Sequence, residues 1–292
     1  MSAAFADHRG LLFSVAYRIL GSAADAEDAV QDTWLRWSSA DRSQVADPRA
    51  YLVRIVTNLA MDRLRSAVAR RETYVGPWLP EPILTSSSGS FDEVSTALLL
   101  VMESLSPLER AVFVLREAFG FSYGEIGSFV GRSTETVRQA GSRAREHVHT
   151  GRPRFPASRA RHQEVTSLFL AAASGGDINS LMELLAPDVT LWTDGGGRVR
   201  QAHRPVVGAE RVATWFAGVG SRPYEGVSPA DMTVEIVELN GLPGVVFHGA
   251  GRVLATLTLD LDADGLIAAI HNVANPAKLQ AVTSGNVHQL SG

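Results

Sequence analysis

The chain has 292 residues, room for two or three domains with real cores, and no cysteine, which excludes disulfides and thiolate metal sites. No apolar run approaches the length of a membrane span and the opening MSAAFADHRG lacks a signal-peptide stretch, so a soluble cytoplasmic protein is expected. The formal net charge of −4 divides unevenly: residues 1–161 hold 20 Lys and Arg against 18 Asp and Glu, whereas residues 162–292 hold 7 against 13, so only the first part suits phosphate.

A first helix is predicted from Ala4 to Leu20, with Phe5, Leu12, Val15 and Ile19 on its apolar edge and Gly21 at its end. Ser22 and Asp25 cap the next helix. Its acidic first turn (Asp25, Glu27, Asp28) suits the helix dipole by itself. The helix runs on to Trp37, with Val30, Trp34 and Trp37 facing one way and Asp28, Gln31 and Asp32 on a polar surface nearby. Asp47-Pro48 opens a third helix, in which Leu52, Val56 and Leu59 mark the buried side. Arg54, Asn58 and Arg65 share another face, where arginine suits phosphate or stacking and asparagine a base edge. A solvated helix face is the plainer account of that row alone. Residues 76–90 hold three prolines and a serine-rich tail, and read as a linker carrying an apolar knob, Trp78-Leu79-Pro80.

A further helix is predicted from Asp92 to Leu105. Ser106-Pro107-Leu108-Glu109 is a capping box, followed by Leu108, Val112, Leu115 and Phe119 at helical spacing. Ser122 and Glu125 form another capping box, Gly131 closes the short helix, and Ser133 caps a last one buried through Val137, Ala140 and Ala144. The opposite face of that last helix carries Thr134, Thr136, Arg138, Gln139, Ser142, Arg143 and Arg145. This is the pattern of a helix-turn-helix whose second helix enters a DNA groove, although an αα-hairpin with a basic face would share it.

Residues 1–150 resemble an extracytoplasmic-function sigma factor of the two-domain type. DAEDAVQDTWLRW at 25–37 is similar to the polymerase-binding helix of its σ2 domain, and YLVRIVTNLAMDRLR at 51–65 to the helix that melts and reads the −10 element. Residues 105–145 are similar to σ4, the reader of the −35 element. The resemblance implies that Asp28, Gln31, Asp32 and Trp34 face the RNA polymerase core, and that Arg54, Asn58, Asp62 and Arg65 lie near the melted promoter strand. Gln139 and Arg143 would reach the −35 duplex.

Members of that family commonly end near residue 150 to 160, and this chain continues. Arg152–Arg161 reads as a basic connector. Helices are predicted at Gln163–Ser174 and Asp177–Leu185, then strands at 188–192, 198–203, 232–239, 245–248 and 253–261, with Asp264-Gly265 turning into a last strand at 266–273. Helices followed by a curved antiparallel sheet form an α+β cone resembling the SnoaL-like branch of the NTF2-like fold. The expected fold is therefore multidomain: all-α σ2 (1–75) and σ4 (92–150) joined by a linker (76–91), then a connector (151–161) and the cone (162–285). Asp194, His203, His248, Asp260 and His271 are the acid and base groups such a cone could use, yet no pair has a diagnostic spacing.

Three short motifs resemble signatures of sigma factors that carry a SnoaL-like extension. They are Trp78-Leu79-Pro80-Glu81-Pro82, Asp194-Gly195-Gly196-Gly197-Arg198, and Asn275-Pro276-Ala277-Lys278-Leu279 with the sole lysine of the chain. The glycine turn is expected to bring Asp194 and Arg198 together; Arg198 stands where that group commonly has lysine, and the charge is kept. The resemblance implies regulation in cis, with the 194–198 loop near the 78–82 linker and the cone packed on σ2, σ4 or both. A sigma factor acting with RNA polymerase core and promoter DNA is expected, without catalysis, metal, cofactor or membrane. The rival readings are a DNA-binding regulator sensing a small ligand in the cone, and a cyclase or isomerase with a DNA-binding appendage.

Overall fold

The computed structural model describes residues 3–41, 43, 45–71, 73–86, 95–151, 157–220 and 222–288. The helix start expected at Asp92–Val94, the serine-rich stretch 87–90 and connector residues 152–156 lie outside the described residues.

Helices α1 (Ala3–Leu20), α2 (Ala23–Ser39) and α3 (Pro48–Arg71) form the first bundle. Ser22 caps α2 by accepting the Asp25 N–H at 3.1 Å, and Pro48 stands at the start of α3, where its missing N–H costs nothing. Leu12, Val15, Ile19, Leu52 and Val56 are fully buried between them. Next come α4 (Thr96–Val101), α5 (Pro107–Phe113), α6 (Tyr123–Val130) and α7 (Thr134–Gly151). Both expected capping boxes, Ser106/Glu109 and Ser122/Glu125, are formed. The single helix expected to reach Phe119 instead leaves α-geometry after Phe113, and Val114–Ala118 is a π-helical turn. The α6–α7 turn is tight: a Cβ on Gly127 would lie 2.8 Å from the Arg132 carbonyl oxygen, so only glycine allows that approach.

The two helical units share one hydrophobic core. Ile55 and Leu59 of α3 belong to the same cluster as Phe121, Ile126 and Phe129 of the second unit. Arg110 of α5 is buried, pairs with Glu103, and donates from Nε to the Arg18 carbonyl at 3.2 Å. Helices of both units therefore bury their apolar edges against each other.

The C-terminal part places α8 (Arg159–Gly175), α9 (Ile178–Leu184) and α10 (Ala209–Gly220) on one face of a curved sheet. Its strands are β2 (Leu185–Asp194), β3 (Val206–Val207), β4 (Thr233–Leu239), β5 (Leu242–Gly249), β6 (Arg252–Leu261) and β7 (Ile267–Val273). The linker adds β1 (Leu84–Thr85). The chain end adds α11 (Gln280–Thr283) and β8 (Val287–His288). The order is β3-β2-β7-β6-β5-β4-β1-β8, antiparallel except at β2–β7 and β1–β8. This is the expected α+β cone, with three differences. Residues 198–203 are turn and irregular chain, not a strand, because Arg198 N–H closes on the Gly195 carbonyl at 2.9 Å and the backbone turns away from the ladder. Helix α10, buried through Val212, Ala213 and Phe216, was not expected. Nor was the linker expected to supply a strand to the edge of the cone's sheet, where Leu84 pairs with Leu239.

Candidate functional site

On α2 the acidic surface is real and already partly neutralised. Arg63 of α3 reaches Asp28 at 3.3 Å and Asp32 at 2.7 Å, while Gln31 is exposed. Trp34 is half-buried with its ring edge-on to Phe5, 5.1 Å between centroids, so it braces α1 as much as it faces outward. Leu35 is 56% exposed beside it, an apolar side chain that helical periodicity did not single out.

On α3, Arg54 is exposed and lies over the Tyr51 ring, and Arg65 is paired with Asp62 one turn away. Asn58 is held from across the bundle: its Nδ2 donates to the Phe129 carbonyl at the end of α6, 2.7 Å away, and to the Arg54 carbonyl. Arg49 lies over the Phe121 ring. One edge of the α3 face is thus covered by the second helical unit.

The outer face of α7 is open. Thr134, Thr136, Arg138, Gln139, Ser142 and Arg143 are all exposed, while Val137, Ala140 and Ala144 are buried. Its cations have acidic partners: Arg138 bonds Glu135, Arg145 bonds Glu117, and Arg143 Nε bonds Glu109 at 2.7 Å, while the neutral Gln139 also donates to Glu135. Burial works against the Glu109 carboxylate, but the bonds from Ser106 and Arg143 hold it below the ordinary glutamate range. Charge-assisted pairs like these pre-set side-chain directions at little cost to exposure.

The three short motifs converge on one buried junction. Asp194, fully buried at the end of β2, accepts from Lys278 Nζ at 2.7 Å, from the Leu79 N–H at 2.8 Å and from the Tyr74 hydroxyl. Lys278 also donates to the Leu79 carbonyl at 2.6 Å and sits over the Trp78 and Tyr74 rings, 4.0 and 4.8 Å from their centroids. Asn275 donates to the Tyr74 hydroxyl at 2.8 Å. Gly196, at φ +57°, passes so close that a Cβ there would fall 2.2 Å from Asn275 Nδ2, so the turn requires glycine on both grounds. The turn does not close Asp194 on Arg198 as the sequence led us to expect. Arg198 is exposed, as are Gly197 and Pro276, and the buried carboxylate takes Lys278 as its ion-pair partner.

The rest of the linker ties the other two units to the same place. Pro80 and Pro82 are buried, and Glu81 caps α2 by accepting from Ser22 Oγ at 2.9 Å and the Ala23 N–H at 2.8 Å. Burial raises the Glu81 carboxyl above its ordinary value, against the pull of these donors and of Lys278. Tyr17 of α1 donates to the Glu81 carbonyl at 2.6 Å. Asn240, at the β4–β5 hairpin, accepts from the Ile83 N–H and Tyr17 and donates to Thr96 of α4. Tyr17, Tyr74 and Asn240 escaped sequence reasoning. Only the Asn240-Gly241 dipeptide carried a signal, that of a hairpin turn.

Of the acid and base groups considered for catalysis, Asp260 and His271 meet, 3.3 Å apart, while His248 approaches Glu235 at 3.7 Å and His203 is exposed. Burial lowers His271 and raises Asp260, each partly countered by the other. His271 stands between Trp192 and Thr258 across the strands, whereas Ile270 and Asn272, alternating with it, face the helices. The pair therefore lies on the sheet face opposite the cone's cavity. Among the described residues no helix is long and apolar enough to cross a membrane, and no three His, Asp or Glu side chains group as metal ligands.

Comparison with known proteins bears on the family and the fold. Residues 4–70 match the family described as Sigma-70 region 2, and residues 95–148 match Sigma-70, region 4. The ECF RNA polymerase sigma factor SigJ of Mycobacterium tuberculosis is 38% identical, over 91% of this chain and 89% of its own. The probable ECF RNA polymerase sigma factor SigI of the same species is 33% identical over 96% and 94%. The crystal structure of SigJ superposes with a TM-score of 0.74 at 34% identity, covering 95% of this chain and 97% of that one. Two sigma-70 regions in family order, and a relative matched from the first bundle through the cone, place the chain among the extracytoplasmic-function RNA polymerase sigma factors.

Proposed function

We propose that this sigma factor, a promoter-directed initiation factor by family, is governed in cis by its cone through the Asp194–Lys278–Leu79 junction. The observation that carries the reading is that the linker between the helical units is also a structural part of the cone: Leu79 is bonded to Asp194 and Lys278, and Leu84 joins the sheet. The spacing of the two helical units then depends on the cone. The division into σ2 (1–75), linker (76–91), σ4 (92–150), connector (151–161) and cone (162–285) follows the same logic.

In this reading the acidic face of α2, with Asp28, Gln31 and Asp32 beside Trp34, docks on RNA polymerase core. Arg54, Asn58, Asp62 and Arg65 of α3 meet the opened −10 strand, and the outer face of α7 meets the −35 duplex. Asn58 has to leave the Phe129 carbonyl before it can reach a base, so engagement of the −10 element includes separation of α3 from α6. The chain catalyses nothing in this scheme and acts where polymerase is, in the cytoplasm. Support for a non-enzymatic role comes from the sigma-factor relatives and from the placement of Asp260 and His271 away from the cavity.

Transcription in vitro with core polymerase and a promoter library tests the scheme. Full-length protein should select a −10/−35 promoter. Asp28→Arg should lose core binding while keeping its fold, since charge reversal at a complementary interface costs several kcal/mol. A folded Asp28→Arg protein that binds core normally would take α2 out of that interface.

A further inference from the structure

The sheet face opposite the junction bounds a cavity of about 360 Å³ between α8, α10 and the strands, within the range of small-molecule sites. Its walls are mostly apolar, with Phe169, Trp215, Phe216 and Phe247 contributing rings, and no charged side chain lines it among the described residues. Four polar side chains reach the same space: Ser174, Gln201, Tyr224 and Asn272. Gln201 Nε2 donates to the Tyr224 hydroxyl at 2.9 Å. Burial pushes the tyrosine up to about 12, so it stays a neutral phenol at physiological pH.

Two acceptors in this wall have no protein donor. Asn272, only 6% exposed, has its Oδ1 buried without a hydrogen bond, and so does Gln201 with its Oε1; both oxygens are closed to solvent as they stand, so a turn of each amide has to bring them to a ligand. A buried polar atom without a partner costs free energy that a ligand donor would recover. An uncharged lining would also penalise any ionised ligand by desolvation. We propose that this cavity binds a small, neutral, largely aromatic or alicyclic molecule that donates a hydrogen bond, through a hydroxyl or N–H group, to Asn272 and Gln201.

The site is independent of the polymerase and promoter interfaces, and it can be tested without either. The probe is 2-naphthol, a neutral bicyclic ring with one donor, and the comparison is 2-methoxynaphthalene, which has nearly the same shape and no donor. Binding to the full-length protein is followed by calorimetry. 2-Naphthol should bind about tenfold or more tightly than the ether, the range expected when a buried acceptor is left unpaired. Asn272→Leu should remove most of that preference while retaining affinity for the ether. Ala255→Trp, which fills the cavity, should abolish binding of both, with circular dichroism and thermal melting confirming the fold. If neither compound binds up to its solubility limit, the site is wrong. Equal affinity for the two in the unaltered protein overturns the donor requirement, and binding that persists in folded Ala255→Trp places the probe elsewhere and overturns the cavity assignment.

Discussion

A carboxylate with no exposure and a lysine of 7% exposure are expensive to desolvate, and both are tolerated at this junction because each is multiply bonded. Asp194 receives three donors, and Lys278 has two oxygen acceptors and two aromatic faces. Removing one partner should therefore cost more than the pair contributes. Asp194→Asn is expected to destabilise the protein by about 3 kcal/mol in denaturant titration, within the range for breaking a buried ion pair. Combining it with Lys278→Met should cost less than the sum of the two single changes; strict additivity would mean the two side chains do not act as a pair. Glu81 gives a pH signature. Its folded-state carboxyl is raised by burial, so the folded chain holds the proton more tightly than the unfolded chain. That contribution is present below the ordinary glutamate value and fades as pH rises through the folded one. Thermal melts of wild type and Glu81→Gln across that window should therefore diverge, the wild type losing melting temperature relative to the variant as pH rises. Parallel curves would refute the assignment.

At the level of elements, α7 is a helix whose buried stripe fixes its position and whose outer face is free. Arg143 is the side chain where the two roles meet, exposed at 61% yet bonded to Glu109 in the capping box of α5. Arg143→Ala is expected to weaken −35 binding by about 1–3 kcal/mol if the guanidinium reads a base, or to lower the salt slope by about one if it holds a phosphate. Filter-binding or anisotropy titrations at several salt concentrations separate the two. Unchanged affinity and unchanged slope would leave Arg143 as a brace for α5 alone. The π-helical turn Val114–Ala118 follows α5 in the same unit, and nothing in the local sequence explains that departure from α-geometry.

Across the whole molecule, the helical units share a core with each other and a linker with the cone. Phe13 of α1 stacks on His288 of β8 at 4.2 Å, Thr258 of β6 bonds Thr96 of α4, and Asn58 of α3 bonds α6. Segments of one chain act at high effective concentration, so modest contacts suffice to hold such an arrangement. Ending the chain near residue 160 would strip Leu79, Ile83 and Leu84 of their partners in the cone and free the spacing of the helical units. Transcription from a selected promoter should then differ from that of the full-length protein. Identical output, together with an absence of cross-links between the cone and residues 1–150, would rule out regulation in cis.

Most of the helices were legible one by one because each is written locally; α10 was not. Ser22, Ser106 and Ser122 sit where free N–H groups need an acceptor, and apolar residues recur at the spacing that buries one side. Motif order sufficed for the family, whereas the alternation of Val253, Ala255, Leu257, Leu259 and Leu261 with more polar neighbours suggests one buried face and β6 is buried on both. Contacts between distant segments carry no such local mark. That Asp194 would choose Lys278, 84 residues away, over Arg198 four residues on depended on which cation the fold buries beside it. That Asn58 would be held by a carbonyl of α6, and that the linker would become a strand of the cone's sheet, likewise depended on where the units pack. Local sequence determined the elements and their chemistry, because capping and periodicity act within a few residues. Tertiary structure decided the partners, because burial and hydrogen-bond satisfaction are settled only when the three units close on one another.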